Sequence, residues 1–590
     1  MTPSTRRAVR ELAASEADRR GGDAGASRRR TRRIVWIVVL VLVAAVLLCA
    51  VWLTVKVLAA KEALESAQQT VSTAMDGDQD AAALIASVAG DAATAAGASD
   101  DPLWRAAEVI PFAGDNLRAV RLAAHALDIA VGDIGEPILA LQADGEGKIF
   151  ARALPYLSEG FAALEPVAAE LTAVAESNAL VPPVRSGVER IAAALDAAAP
   201  VMSYLPVLMG ADGPQNILLA FQNNAEALPL GGSPASQTLI TADEGDLTIT
   251  KQVGSGDFEW AALEDFDVPS GASALYGETY GSRVNMSVTR PDWPSSAEML
   301  AAFWHRDIDD TQIDAVASID PIALQRMLDA TGPIEVGDVT IDSDNALKVL
   351  LSDVYTWWDA YTKTGAKESD AFFARVASTM IDEIASGDFE VFTMLKAVRT
   401  SIDKGDIMLW SADEEFQSEL ATARIGGVLP TDNETTTTLG IYYRDVSASK
   451  IDYYLKTEAT ATMTCTGETT TIVASTTLNL DISQAAADAL PRYVQSYRHG
   501  SEYFIKQVFM YAPPGMQIDS VSVDGRDVSP FRQGNTDLGR EVAPFLMTLR
   551  PGETAEVTAT FSGTGDFGPL EVRTTPMIHA TELTLDDDCH

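Results

Sequence analysis

Residues 34–55 (IVWIVVLVLVAAVLLCAVWLTV) run for 22 positions without a charge. As a helix this stretch would extend roughly 33 Å, enough to cross a hydrocarbon core of about 30 Å. Trp36 and Trp52 stand near its two ends, where aromatic rings favour the headgroup boundary. Ahead of it, ten arginines face four carboxylates, a net of +6. That bias predicts residues 1–33 as a basic cytoplasmic tail, 34–55 as a transmembrane helix, and the bulk of the chain as extracytoplasmic. Val57-Leu58-Ala59 resembles a cleavage site, but the apolar stretch exceeds the ~7–15 residues of a secretory signal core and reads as a lasting anchor. Cys49, in mid-span, reads as a small apolar residue facing lipid.

The whole chain carries −41, so everything beyond the apolar stretch is strongly acidic. Such a surface repels nucleic acid and anionic headgroups, which excludes nucleic acid as a partner and leaves the bilayer as the anchor's environment. A length of 590 residues exceeds one compact core and implies two to four domains. Residues 56–210 are alanine-rich with helical spacing and predict a helical stalk or bundle. Within them Val184, Val188, Ile191 and Leu195 form a stripe behind the start signal Pro182-Pro183. The text GDAATAAGASDD, residues 90–101, predicts a linker, and Gly145–Gly147 a turn.

From residue 211 the composition changes. Ile217-Leu218-Leu219-Ala220-Phe221 suits a buried strand, and Asp243-Glu244-Gly245 between two threonine-rich runs suits a hairpin. Ser295 to Glu298 fits a capping box, and Asp320-Pro321 with Gly332-Pro333 brackets a second helix. Alternating strand and helix signals predict an α/β domain over 211–425. Trp357-Trp358 and the stripe from Leu350 to Val354 read as core. Residues 440–590 alternate strand and turn signals and predict about seven strands in an immunoglobulin-like β-sandwich. The fold class is therefore multidomain α+β. Cys465 and Cys589, the two cysteines on the extracytoplasmic side, are the disulfide candidates.

The common catalytic signatures are absent: no G-x-x-x-x-G-K-S/T, G-x-S-x-G, H-E-x-x-H or C-x-x-C occurs. The five histidines are scattered among the proposed domains, so no metal ligands are assigned. What stands out is NILLAFQNNAEALPLGG, residues 216–232. With Asp101-Pro102-Leu103-Trp104, Arg290-Pro291-Asp292-Trp293-Pro294, Ile313-Asp314-Ala315-Val316, Thr331-Gly332-Pro333 and Lys450-Ile451-Asp452-Tyr453-Tyr454, it resembles the DUF4012 family of bacterial membrane-anchored envelope proteins, over roughly residues 100–520. That family looks distantly similar to the LytR-CpsA-Psr proteins, which implies a LytR-CpsA-Psr-like central domain.

Two readings of function follow. The preferred one is a non-enzymatic envelope protein, a scaffold or polysaccharide-interaction module, with cell-wall glycopolymer or other envelope proteins as partners and no cofactor. The alternative, implied by the resemblance, is a phosphotransferase attaching lipid-linked glycopolymer to the cell wall, with Mg2+ as its metal. The glycines of the motif are preceded here by Glu226-Ala227-Leu228-Pro229-Leu230 where the family carries an arginine. The candidate binding residues are Asn223, Asn224, Glu226, Gly231, Gly232, Arg290 and Asp292. On local chemistry alone, the asparagines would serve to turn the chain after a strand, the glycines to bend it, and Arg290 and Asp292 to pair in a loop.

Overall fold

The computed structural model describes residues 48–49, 51–67, 81–145, 147–264, 266–528 and 535–590. The tail 1–33 and most of the apolar stretch 34–55 lie outside them. The chain is mixed α/β and separates into two compact units. One comprises the chain up to Glu136 together with Ala162–Asp196, and the other Pro137–Phe161 together with Ala197–His590.

The first unit is helical. Residues 51–67 form a helix, followed by helices Ala81–Ser99, Pro102–Ala107 and Gly114–Asp128, and by parts of two long helices, Ile149–Ala175 and Pro182–Leu208. The expected linker at 90–101 is instead the second half of helix Ala81–Ser99. Its alanines combine high helix propensity with small volume, and Ala95, Ala96 and Ala98 pack with Ala60, Ala63 and Trp104 in one core. Asp101 ends that run and caps the next helix, its carboxylate accepting from the Leu103 amide. The stripe Val184, Val188, Ile191 and Leu195 lies against Leu171 and Val174. Among the described helices, Pro182–Leu208 is the one long and apolar enough to cross a membrane by length and composition. Its first half, however, carries Arg185, Glu189 and Arg190.

The second unit is built on three sheets. Strands β1 (Gln215–Leu228), β2 (Gly231–Asp243), β3 (Asp246–Gly254) and β4 (Ala315–Ile319) come first in the chain, then the small hairpin β5 (Ile334–Val336) and β6 (Val339–Ile341), then β7 (Ile407–Ser411). Five of them form a sheet in the order β3-β2-β1-β4-β7, with β1 and β4 parallel and the other pairs antiparallel, while β5 and β6 pair only with each other. The β2–β3 hairpin turns at Glu244 and Gly245, both at positive φ. Side chains alternate across the sheet. Leu218, Ala220, Val316 and Met408 face a core shared with Trp293, Leu300, Phe303 and Trp304. Ala225 and Ile319 belong to the opposite core, with Leu324, Leu328, Phe372 and Val376.

Helix Trp293–Asp307 begins two residues before the expected capping box at Ser295. Asp292 is its cap, accepting from the Ser295 amide, because Trp293-Pro294 is tolerated in a first turn that needs no donor there. Asp320 caps Pro321–Thr331, accepting from the amides of Ile322 and Ala323, and Gly332 ends that helix at φ 75°.

Eleven further strands, not about seven, follow among the described residues. They are β8 (Thr437–Asp445), β9 (Leu455–Thr466), β10 (Thr469–Leu480), β11 (Phe504–Tyr511), β12 (Gln517–Val523), β13 (Arg526–Asp527), β14 (Thr536–Asp537), β15 (Arg540–Leu549), β16 (Thr554–Thr564), β17 (Leu570–Thr574) and β18 (Glu582–Asp587). The surplus comes from the two-residue strands β13 and β14 and the short edge strands β17 and β18. One sheet has the order β13-β12-β16-β10-β9-β18 and the other β14-β15-β11-β8-β17. Residues of both sheets share one core. The second sheet is also covered on its other face: Tyr442, Phe509 and Tyr511 join the core of Trp293 and Phe303. Every residue of β8 is consequently buried. Cys465 at the end of β9 and Cys589 after β18 form a disulfide, with Cα atoms 5.5 Å apart.

Candidate functional site

The motif QNNAEA sits inside β1, not in a turn after it. The β1–β2 ladder is regular to Phe221, then breaks: Asn223 pairs with Ser233 but the next pair is Ala227 with Gly232. Asn224, Ala225 and Glu226 therefore form a bulge, and a bulge re-aims side chains. Asn223 donates through its amide to the Tyr355 hydroxyl at 2.5 Å, and its side-chain oxygen accepts from the Ala225 amide. Asn224 donates to Asp320 at 2.8 Å and to the Pro576 carbonyl at 3.3 Å. Glu226 pairs with Lys450, and the Ala227 amide donates to Asp452 at 3.0 Å. Most of these partners are distant side chains, where local backbone capping would have been the simpler use of asparagine. The cause is burial: Asn224 is fully enclosed and must find partners within the interior.

The glycines make the bulge possible. A Cβ on Gly232 would lie 2.0 Å from the Asn223 carbonyl oxygen, and Gly231 holds φ 128°. The Gln222 side chain closes the loop by accepting from the Gly232 amide at 2.9 Å.

Asn223 opens onto a cleft of about 870 Å3, part of it continuous with solvent. Its walls are mainly apolar: Phe221, Leu324, Leu350, Leu351, Phe373 and Val376. Lys450 is the cation among the lining residues. Its ammonium group lies 4.7 Å from the Tyr355 ring centre and 5.0 Å from that of Tyr493. Burial opposes that charge, but Glu226 and the two tyrosines outweigh it and hold the amine above its ordinary range. Burial also pushes the Tyr355 phenol up to about 12. Asp320 reaches the cleft as well. Burial and then the Asp406 carboxylate raise it well above the usual range, against the cap amides and Asn224.

Tyr355 and Tyr493 also line a second, open groove of about 980 Å3, together with Tyr361, Tyr497, Arg492 and Asp359. Tyr361 is 46% exposed and Tyr497 67%. Tyr493 meets Tyr361 edge-on at 5.2 Å and Tyr355 at 5.9 Å, so the tyrosines link the cleft to the open groove.

Arg290 and Asp292 are elsewhere. Arg290 donates to both carboxylate oxygens of Asp537, with its shortest contact 2.8 Å, and to Asp292 at 3.3 Å. Burial disfavours the guanidinium charge, but Asp537 and Asp292 overcome this and hold it above its ordinary range. The Asp537 carboxylate also accepts from the hydroxyls of Tyr276 and Tyr511. This network serves the core of Tyr276 and Trp293, and neither Arg290 nor Asp292 lines the cleft.

The structure thus gathers Asn223, Asn224, Glu226, Gly231 and Gly232 at one bulge and leaves Arg290 and Asp292 apart. Sequence reasoning did not find Tyr355, Tyr361, Tyr493 and Tyr497. The available signal was the tyrosine density around residues 355–361 and 493–497. Lys450 stood within a recognised string, but nothing local announced that it is buried. No curated protein matches the chain. The bulge, the Asp320 cap and Tyr355 all fall within residues 212–355, which match the family described as Protein of unknown function (DUF4012), a narrower span than the resemblance over 100–520.

Proposed function

We propose that this protein is a membrane-anchored, extracytoplasmic envelope protein that binds cell-wall polysaccharide without transforming it. In this reading residues 34–55 are the anchor and 1–33 the cytoplasmic tail, and the bulk of the chain lies outside. The five-stranded sheet around β1 corresponds to a LytR-CpsA-Psr-like domain, and the two C-terminal sheets to an immunoglobulin-like sandwich. A scaffold role toward other envelope proteins is compatible with the same surface.

The observation that carries the proposal is the open tyrosine groove. The apolar faces of pyranose rings stack on exposed aromatic rings, which offer large, rigid area at small entropic cost. Around them, Arg492, Asp359 and Thr356 supply donors and acceptors for hydroxyl groups. Sites of this kind pair apolar walls with a few polar groups that fix orientation.

The phosphotransferase alternative has less support. It requires free cationic groups facing a pyrophosphate. Arg290 is committed to Asp537 and Asp292, and Lys450 to Glu226. The test is calorimetric titration of the full chain with purified wall polysaccharide. Tyr361→Ala and Tyr497→Ala are each expected to weaken binding by about 1–2 kcal/mol, or roughly 5–30-fold. Unchanged affinity in both variants would remove the groove from the account. Release of lipid monophosphate from a glycan linked to lipid through pyrophosphate, by wild-type protein with Mg2+ and a wall acceptor, would promote the alternative.

A further inference from the structure

We infer that one end of the helical unit is itself seated in the outer interfacial layer of the bilayer, forming a second membrane contact beside the anchor. The inference rests on the reading of residues 34–55 as a membrane span. Residues 103–112 and Val181 expose an unusual apolar group: Val109 is 83% exposed, Phe112 85%, Ile110 50%, Val181 50% and Leu103 38%. Scattered surface apolar residues need no explanation, but a cluster on one tip does.

The tip is held together. The Asn116 side chain donates to the carbonyls of Phe112 and Ala179, at 3.0 and 2.9 Å, and accepts from the Val181 amide at 2.8 Å. One side chain therefore ties the 108–113 turn to the 177–181 turn. Phe112 adopts φ 67°, which is rare for a bulky residue. That backbone cost supports a ring presented outward, with no packing inside the unit to compensate it.

The depth of the tip follows from Trp52. Its indole donates to the Asp101 carboxylate at 2.9 Å, and Leu53 and Val57 pack on the core that contains Trp104. Trp52 belongs to the last turn of the uncharged stretch, where a tryptophan marks the headgroup boundary. Asp101, which caps the six-residue helix Pro102–Ala107 leading into the 108–113 turn, is thereby held at that boundary. Two of the nearby carboxylates are charge-paired and a third accepts from a hydroxyl. Asp100 pairs with Arg105 at 2.8 Å, Glu108 receives two hydrogen bonds from Arg121, and Asp115 accepts from Ser177 at 2.6 Å. Paired carboxylates lower the cost of approaching headgroups. Valine, isoleucine and phenylalanine side chains then supply the apolar area that favours interfacial burial.

The experiment uses the full chain in phosphatidylcholine nanodiscs, with the environment-sensitive fluorophore NBD attached at one cysteine. The free Cys49 reports the span itself. Phe112→Cys and, independently, Val109→Cys report the tip, each in a Cys49→Ser background. Glu65→Cys in that background reports the water-facing part of the same helix. Nitroxide on shallow lipid carbons should quench the label at 49, 109 and 112 at least twofold more than at 65, and iodide should show the reverse order. Iodide-accessible, lipid-unquenched labels at both 109 and 112, with Cys49 still lipid-quenched, would overturn the inference and leave the anchor intact. A water-accessible label at Cys49 would refute the anchor and the inference with it.

Discussion

Replacing Lys506 by methionine removes the one cation from a buried cluster while nearly preserving its volume. Lys506 lies on β11 with its side chain 2% exposed. Its ammonium group is 2.5 Å from Asp452 and 3.2 Å from Asp445, whose side chains are 0% and 3% exposed. The variant leaves two enclosed carboxylates without a counter-charge, and breaking a buried pair in this way costs about 3–5 kcal/mol. Against a typical total stability of about 5–15 kcal/mol, that is a large fraction. The loss has a predicted pH signature. Burial is the main force raising Asp452 to about 6, and the Asp445 carboxylate adds to it, while Lys506 is what holds it down. A carboxyl whose folded-state pKa exceeds the unfolded value of 3.8 stabilises most at low pH and loses that contribution as pH rises through the folded value. Without Lys506 the folded value climbs further, so the deficit relative to wild type should be larger at pH 7 than at pH 5, changing by at most about 1.4 kcal/mol per pH unit. Urea unfolding of the detergent-solubilised chain, followed by tryptophan fluorescence at both pH values, measures it. Adding Asp445→Asn and Asp452→Asn to the methionine variant should recover part of the loss. A deficit below about 1 kcal/mol at pH 7, or one unchanged at pH 5, would refute the reasoning.

Three other outcomes follow from the same structure. Gly232→Ala should cost at least about 3 kcal/mol or abolish folding, since its Cβ would meet the Asn223 carbonyl oxygen at 2.0 Å; thermal unfolding of the purified variant checks it. Cleaving Cys465–Cys589, separated by 124 residues, should lower stability by up to ~4–5 kcal/mol in the chain-entropy model, read by unfolding with and without reductant. Arg290→Ala should cost about 3–5 kcal/mol by leaving Asp537 buried and unpaired, yet leave polysaccharide affinity unchanged in the fraction that folds.

Local chemistry made several elements legible. The run at 217–221, the hairpin at Asp243–Asp246 and the Asp320-Pro321 helix start each depend on a few adjacent residues, and each stands where its residues predict. The start of helix Trp293–Asp307 was displaced because two capping signals overlap there, and Asp292 with Pro294 took the role over Ser295. The alanine-rich text at 90–101 resembled a linker because small residues say nothing of what they pack against. The site was legible in part. The asparagines and glycines stood out as a string, but a three-residue bulge has no sequence signature apart from the glycine opposite it. The partners were beyond reach of local reasoning: Arg290 meets Asp537 across 247 positions and Glu226 meets Lys450 across 224. Buried lysines such as Lys450 and Lys506 read as surface residues until the fold supplies their carboxylates. The five-residue run Leu439–Tyr443 within β8 carried a usable hint, since a strand covered on both faces loses its alternation.

Hydrogen–deuterium exchange of the full chain, with and without purified wall polysaccharide, tests most directly whether the tyrosine groove binds glycan. The account predicts slowed exchange in residues 355–361 and 491–497, equal in the presence and absence of Mg2+, with the segment around Arg290 unaffected. Polysaccharide that leaves both groove segments unchanged, or that instead protects residues around Arg290 only when Mg2+ is present, would contradict it.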